Sequence, residues 1–311
     1  MSRFAFLLLP LFLFGLDFRV ATYNLENLFD AKKEGNEYKE YTPGTKHGWN
    51  EVMMHQKITN LARVIKDMDA DIIALMEVEN KEVLLKLNHA LEDKRYAYVF
   101  YPQKKSRVSI ETALLSRFPI DKTSTISLKD QARGIHKVSL LVDKYPLDVY
   151  INHWPAMPER EDERMEYAQT LRRALLASAN KESIVLGDFN SPLEIQKNDW
   201  GRALGSLFYH GDAKMPLSNL WYELPEKKRY SHVYGKKRSA LDHMIISNTL
   251  EDGKGIEYTK GTFTPFSKSY MLESDGSPKR WQISEKGRGN HLGIGFSDHL
   301  PLTATFHTLS H

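Results

Sequence analysis

Ser183-Ile184-Val185-Leu186 is a short apolar, β-branched run that stops on Gly187 and gives way to Asp188-Phe189-Asn190-Ser191. Such a run reads as a buried strand. The two-residue period of a strand sets Asp188 and Asn190 on one face at its C-terminal end, where open α/β sheets hold ligands. Gly, Asp, Asn and Ser are turn residues as well, so the motif alone admits a plain turn. The rest of the chain decides, because the same design recurs. Phe18–Asn24 reads as a strand running into Asn24-Leu25-Glu26-Asn27, and Asp71–Met76 as one running into Glu77-Val78-Glu79-Asn80. Asp148–Asn152 runs into His153-Trp154-Pro155, where proline forces the chain out of regular structure. Leu241–Ser247 carries Asp242 near its start.

Between these strands lie helical periods. From His55, Ile58, Leu61, Ile65 and Met68 recur at helical spacing; Lys81–Asp93 and residues 162–180 repeat the pattern. Further strands are expected at Tyr96–Tyr101, Thr112–Ser116, Lys137–Val142 and Thr303–His307. Residues 30–50 are charged and aperiodic, a long connection of the kind that signals function or mobility. Residues 193–225 show no clear pattern, and no repeat of fixed period appears. Interleaved helices and strands, with several hairpin-like pairs, predict an α/β (α+β) fold with mixed sheets.

At 311 residues, 41% hydrophobic and 11% aromatic, the chain can build one large core. Its net charge of +3 allows a nucleic-acid partner without demanding one, so local basic patches would have to supply the attraction. Arg3 followed by the apolar run to Gly15 has the form of a secretory signal, too short to span a bilayer comfortably. Residues 1–16 are therefore expected to be a signal peptide, with an uncleaved anchor as the alternative, and 17–311 a single domain, secreted or periplasmic. With no cysteine, neither disulfides nor thiolate metal ligands are available.

Any one acid or imidazole at a strand end is usually a turn, a cap or a satisfied structural residue. Six such points, Asn24/Glu26, Glu77, His153, Asp188/Asn190, Asp242 and Asp298-His299, suggest one crevice. Oxygen ligands such as Glu77, Glu26 and Asn24 suit a hard cation, foremost Mg²⁺, with Mn²⁺ or Ca²⁺ as alternatives. Two imidazoles would supply proton transfer and a donor to developing negative charge, oriented by neighbouring acids. Zinc ranks lower despite 12 histidines, because no His-x-x-x-His pair sits beside a glutamate on a clear helix. A serine hydrolase lacks its Gly-x-Ser-x-Gly elbow.

In order and approximate spacing, Tyr23-Asn24-Leu25-Glu26-Asn27, Met76-Glu77-Val78, Asn152-His153, Gly187-Asp188-Phe189-Asn190, Leu241-Asp242-His243 and Ser297-Asp298-His299 resemble the endonuclease/exonuclease/phosphatase superfamily, the deoxyribonuclease-I-like fold. The resemblance spans about Phe18 to Phe306. It implies a four-layered sandwich of two packed mixed β-sheets flanked by helices, with metal-assisted, in-line attack of water on a phosphate ester. It also implies roles: Glu77 binding metal with Asn24 and Glu26, Asp298 supporting the metal, Asp188 and Asn190 orienting water and phosphate. His299, held by Asp242, would be the general base or a phosphate-polarising group, and His153 would donate to a phosphate or leaving oxygen. Arg133 falls where relatives bind the substrate phosphate; a surface arginine is an equal reading. Glu111 is expected to buttress His153. A histidine at 153 resembles nuclease-, sphingomyelinase- and phosphatase-like members rather than those acting on abasic DNA. The stretch Asn24–Asp30 with its long loop and Tyr41-Thr42-Pro43 also looks like a group of exported bacterial nucleases.

The leading expectation is an exported, divalent-metal-dependent nuclease cutting DNA, and RNA as well if its preference is loose. Lys104-Lys105-Ser106-Arg107, Lys227-Lys228-Arg229-Tyr230, Lys236-Lys237-Arg238 and Lys279-Arg280-Trp281 mix basic and aromatic residues, as phosphate contacts and base stacking require. Each such patch is more often a solvated surface loop. A sphingomyelinase-like or phosphoinositide phosphatase-like hydrolase is the second expectation, with Phe263–Trp281 as its candidate membrane-facing insertion; membrane contact is expected only with a lipid substrate or an uncleaved anchor. A non-catalytic binding or toxin-like module of the same fold is the third.

Overall fold

Alternation along each strand decides the architecture. In the computed structural model, which describes residues 15–103, 108–128 and 133–309, β1 (Asp17–Leu28) turns Phe18 and Val20 one way and Ala21, Tyr23 and Leu25 the other. The next strand, β2 (Ile72–Val78), does the same with Ile72 and Ala74 against Ile73 and Leu75. After β3 (Tyr98–Phe100), β4 (Glu111–Ser116), β5 (Ile120–Ile126) and β6 (Ile135–Val142) come β7 (Tyr145–His153) and β8 (Ser183–Asp188). There Val149, Ile151, Ile184 and Leu186 face inward, while Tyr150 and Val185 face outward. Strands apolar on both faces must be covered on both faces.

Two sheets result. One runs Ile256–Tyr258, Leu302–Thr308, β1, β2, β4, β3, with Thr264–Pro265 also paired to Leu302–Thr308. The other runs Leu217–Asn219, Asp242–Ser247, β8, β7, β6, β5. Both are mixed: β1 and β2 pair in parallel, as do β7 and β8, and the remaining pairs named are antiparallel. The inner faces pack on each other through Val20, Ile72, Ile151, Ile184 and Met244. Helices α1 (Glu51–Met68) and α2 (Lys81–His89) cover the first sheet with Leu61, Ile65, Leu84 and Leu87. Helix α3 (Glu161–Ala177) covers the second with Ala168, Leu171 and Leu175. This is the expected four-layered sandwich.

Several boundaries differ from expectation. Asn50 caps α1 by accepting from Met53 N–H at 3.1 Å, so the helix starts at Glu51 rather than His55. Strand β5 carried no apolar signal because it is an edge, with Asp121–Thr125 exposed. The long segment 30–50 contains one 3-10 turn at Lys39–Tyr41 and is pinned by buried Tyr41 and Trp49, the Trp49 indole donating to Asp30 O at 2.6 Å. Residues 193–225 fold as the short helix Arg202–Leu207, a small hairpin and the edge strand Leu217–Asn219. Leu16, at the boundary of the expected signal, donates to Thr308 Oγ1 at 2.9 Å; residues 1–14 and Lys104–Arg107 lie outside the described residues. No helix among the described residues is long and apolar enough to cross a membrane.

Candidate active site

Parity builds most of the site. Asn24 continues the inward set of β1 (18, 20), His153 that of β7 (149, 151), Asp188 that of β8 (184, 186), and Asp242 that of Asp242–Ser247 (244, 246). These polar positions meet between the sheets, where the apolar residues behind them already meet. Ladder register aligns them laterally: His153 and Asp242 each sit opposite Asp188.

Glu77 is of the wrong parity to join them, and backbone strain corrects this. The ladders on both sides of β2 shift register between Leu75 and Val78, and Glu77 takes a left-handed φ of 65°. A bulge of this kind re-aims a side chain. Glu77 then receives Asn27 N–H at 2.9 Å on one oxygen and Asn24 Nδ2–H at 3.1 Å on the other. The same Asn24 nitrogen donates to Asp188 Oδ2 at 3.0 Å. One amide therefore bridges the buried Asp188 and the partly buried Glu77.

The histidines stand over this pair. His153 Nε2 lies 3.7 Å from Glu77 Oε1 and 4.0 Å from Asp188 Oδ2. His299 Nε2 lies 3.9 Å from Asp188 Oδ2, while its Nδ1–H donates to Asp242 Oδ2 at 2.6 Å. Ser231 Oγ–H donates to the same Asp242 oxygen at 2.6 Å. Burial pushes His153 well below its ordinary pKa, reinforced by Arg133 and His299. Burial also pulls on His299, but Asp242 and Asp188 outweigh it and hold its pKa well above the usual value. Burial pushes Asp188 up to about 7, with Asp242 and Glu77 adding to it and His299 opposing. Glu77 is raised by burial and by Asp298.

Two adjacent carboxylates raised together, one buried and one partly buried, are negative charge that the protein leaves undercompensated. Their donors are all oxygen, which suits a hard divalent cation. The residues present fit such an ion, with Glu77 and Asp188 as the carboxylates that would hold it. Asn24 fits less directly than expected, since its oxygen accepts Glu26 N–H at 3.0 Å and its nitrogen serves the two acids.

Other expected residues fall elsewhere. Glu26 does not join Glu77: its oxygens take Arg280 Nε–H at 2.9 Å and Trp281 N–H at 2.8 Å. Behind it the fully buried Lys57 ammonium donates to Glu26 O at 2.5 Å. A strand end with φ of 50° at Glu26 and 64° at Asn27 breaks the alternation that would have aimed Glu26 into the crevice. Asp298 sits beside His299 (3.9 Å), His232 (3.9 Å) and Arg280 (3.7 Å), on the His299 side of the site. Glu111 does not buttress His153; it lies 3.5 Å from His136 Nε2, and His153 Nδ1 has no hydrogen-bond partner among the described residues. Asn190, beyond the end of β8, points its amide at Trp154 O at 3.1 Å, and its backbone N–H caps Asp188 Oδ1 at 2.8 Å. Arg133 reaches the site edge, donating to His153 O at 3.2 Å and Ile110 O at 3.3 Å. Sequence reasoning assigned no role to Ser231, His232 or Lys57 and took Arg280 for a phosphate contact, because their partners are distant in the chain. In Lys279-Arg280-Trp281 the indole is buried and cannot stack a base, while Arg280 stays exposed at the surface and is paired to Glu26.

The model of the Endonuclease/Exonuclease/phosphatase family matches residues 19–308, and the chain belongs to that family. Its members are phosphoric ester hydrolases that use divalent metals. No curated protein matches the sequence. Truncated TDP2 of Caenorhabditis elegans is 15% identical, over 94% of this chain and 98% of that one, with a TM-score of 0.59. TDP2 of D. rerio complexed with single strand DNA product is 12% identical, over 94% and 99%, with a TM-score of 0.61. ANGEL2, a 2',3'-cyclic phosphatase solved in complex with adenosine-2',3'-vanadate, is 16% identical, over 94% and 96%, with a TM-score of 0.57. At such identities the likeness is one of fold.

Proposed function

We propose that this chain is an exported, Mg²⁺-dependent phosphodiesterase that hydrolyses nucleic acid, DNA first. The observation that carries the reading is the pair Glu77–Asp188, bridged by Asn24 and overlooked by two imidazoles in opposite electrostatic states. A divalent ion held there would neutralise phosphate charge and favour attack by water. His299 is anchored through Nδ1 on Asp242 and turns Nε2 toward Asp188; a divalent ion held by Glu77 and Asp188 would offset the carboxylate charge that raises its pKa and free Nε2 to accept the proton of the attacking water. His153 stays neutral and donates to a phosphate or leaving oxygen. Asp188, capped by Asn190 N–H, orients the water, and Arg133 at the rim meets a substrate phosphate.

Nucleic acid is preferred to lipid because the candidate membrane insertion is folded in: Phe263, Met271 and Trp281 are buried. The structural likeness to a TDP2 complexed with single strand DNA product supports the same choice. Export rests on the basic residue and apolar run of residues 1–16, and N-terminal sequencing of protein recovered from outside the cytoplasm tests it.

The functional test is a panel of plasmid DNA, RNA, sphingomyelin and an inositol phosphate, each with Mg²⁺, Mn²⁺, Ca²⁺ or EDTA. DNA cleavage that needs the metal and falls about 10²- to 10⁴-fold in His299→Ala is the expected result. Folded wild type that cuts nothing would sink the enzyme reading; full activity in His299→Ala would remove His299 as the base.

A further inference from the structure

Beside the site, on the Asn190 side, opens a second cleft of about 570 Å³. One wall is the loop after β8, Pro192–Gln196; the other is the segment Glu226–Tyr230 and Lys237–Ser239, the second strand of a hairpin whose first strand is His232–Tyr234. Lys227, Arg229, Lys237 and Arg238 line it against Glu194 and Glu226, an excess of two positive charges. Of the four cations only Arg229 has a carboxylate partner among the described residues, Glu194 at 3.8 Å.

The cleft is joined rigidly to the catalytic groups. At the hairpin's base Ser231 holds Asp242, and His232 bridges to His299. Across the cleft Lys237 stands 5.0 Å over the ring of Trp200, whose indole donates to Asn190 O at 2.8 Å. Tyr234, at the hairpin turn, is 81% exposed, the most exposed large hydrophobic residue of the described chain. Folding leaves such a ring uncovered at a cost in apolar hydration, and beside lysines it offers a base a face to stack on.

We propose that this cleft is a backbone-phosphate subsite: it holds the phosphodiesters of a nucleic-acid strand flanking the scissile bond, while Tyr234 stacks a base. The inference rests on the hydrolase reading for the word scissile, but strand binding is independent of catalysis and is tested separately. The consequence is that the substrate is a polymer with several phosphates, and that longer strands bind better than a single diester.

The test uses fluorescence anisotropy of a labelled DNA single strand about twelve nucleotides long, in EDTA, from about 50 to 200 mM salt. Lys227→Gln/Lys237→Gln is expected to weaken binding at least about fivefold and to make the salt slope shallower by about 1.4, the share of two phosphate contacts. Lys227→Arg/Lys237→Arg should bind like wild type, and Tyr234→Ala should weaken binding without changing the slope. In the presence of Mg²⁺, turnover of bis-(p-nitrophenyl) phosphate, a diester with no flanking phosphate, should be the same in the Gln variant and wild type. Unchanged strand binding in the Gln variant overturns the proposal, as does a parallel loss of small-diester turnover, which would make the lysines structural. Wild type that binds phosphoinositide vesicles and leaves the strand free overturns the nucleic-acid assignment. Strand binding with no hydrolysis of any ester supports the subsite and overturns the hydrolase reading instead.

Discussion

His299 and His153 face the same two carboxylates, yet burial and neighbours drive them apart: Asp242 grips one imidazole at 2.6 Å, whereas the other has Arg133 nearby and its Nδ1 unpaired among the described residues. Ser231 supports this division from behind by holding Asp242. Ser231→Ala removes that hydrogen bond to a charged group, worth about 1.5–3 kcal/mol, and kcat on DNA is expected to fall about tenfold with KM little changed. A KM effect instead would make Ser231 a substrate contact. Far from the site, Glu182 illustrates the opposite use of burial. Desolvation raises its pKa to about 7 despite Ile256 N–H, with Asp252 and Glu257 adding to the rise. An acid whose folded pKa lies above its unfolded value carries no penalty below about pH 4.5 and loses stability as pH rises through 7. Glu182→Gln should therefore melt higher than wild type at pH 8, the difference vanishing near pH 4; thermal melts across that range check it.

At the scale of elements, the ends of β2 and β8 carry the unusual geometry. Gly187 holds φ at 128°, and a Cβ there would stand 2.0 Å from Asn152 O on β7. Gly187→Ala is expected to cost about 3 kcal/mol through clash and left-handed strain, read as a lower denaturation midpoint at unchanged slope. Reading polar residues at strand ends singled out Asn24, His153, Asp188 and Asp242, each of which continues the inward side of a regular strand, whereas the two-residue period failed for Asn190, which lies beyond the end of β8 at a φ of 46°. Glu77 was singled out in the same way, but its direction was not legible, because it comes from a bulge between Leu75 and Val78 that leaves no mark in hydrophobic pattern. Glu26 failed for the same reason in reverse: a positive φ turned it to Arg280, 254 residues along the chain. Strand β5 was missed because exposed edge positions need no apolar alternation.

For the whole molecule, the two parallel pairs β1–β2 and β7–β8 end at one seam between the sheets, and the acids and imidazoles of the candidate site gather there. Burial at that seam, with Asp298 adding at Glu77 and Asp242 and Glu77 adding at Asp188, raises both acids and predicts that a divalent ion stabilises the fold. At a hundredfold excess over Kd, Mg²⁺ should add about 2.7 kcal/mol, seen as a rise in Tm that Glu77→Gln abolishes; an equal rise in that variant would place the ion elsewhere. Sequence alone determined most of the core strands and the inventory of acids, amides and imidazoles, because alternation and helical period are local consequences of which residues must be buried; the four layers were implied by the resemblance of its motifs to the family. Tertiary structure alone decided the aim of Glu77, the pairing of Glu26 with Arg280, the Ser231–Asp242–His299 chain and the basic cleft beside it. Those depend on bulges and on contacts between residues far apart in the chain, which no local period encodes.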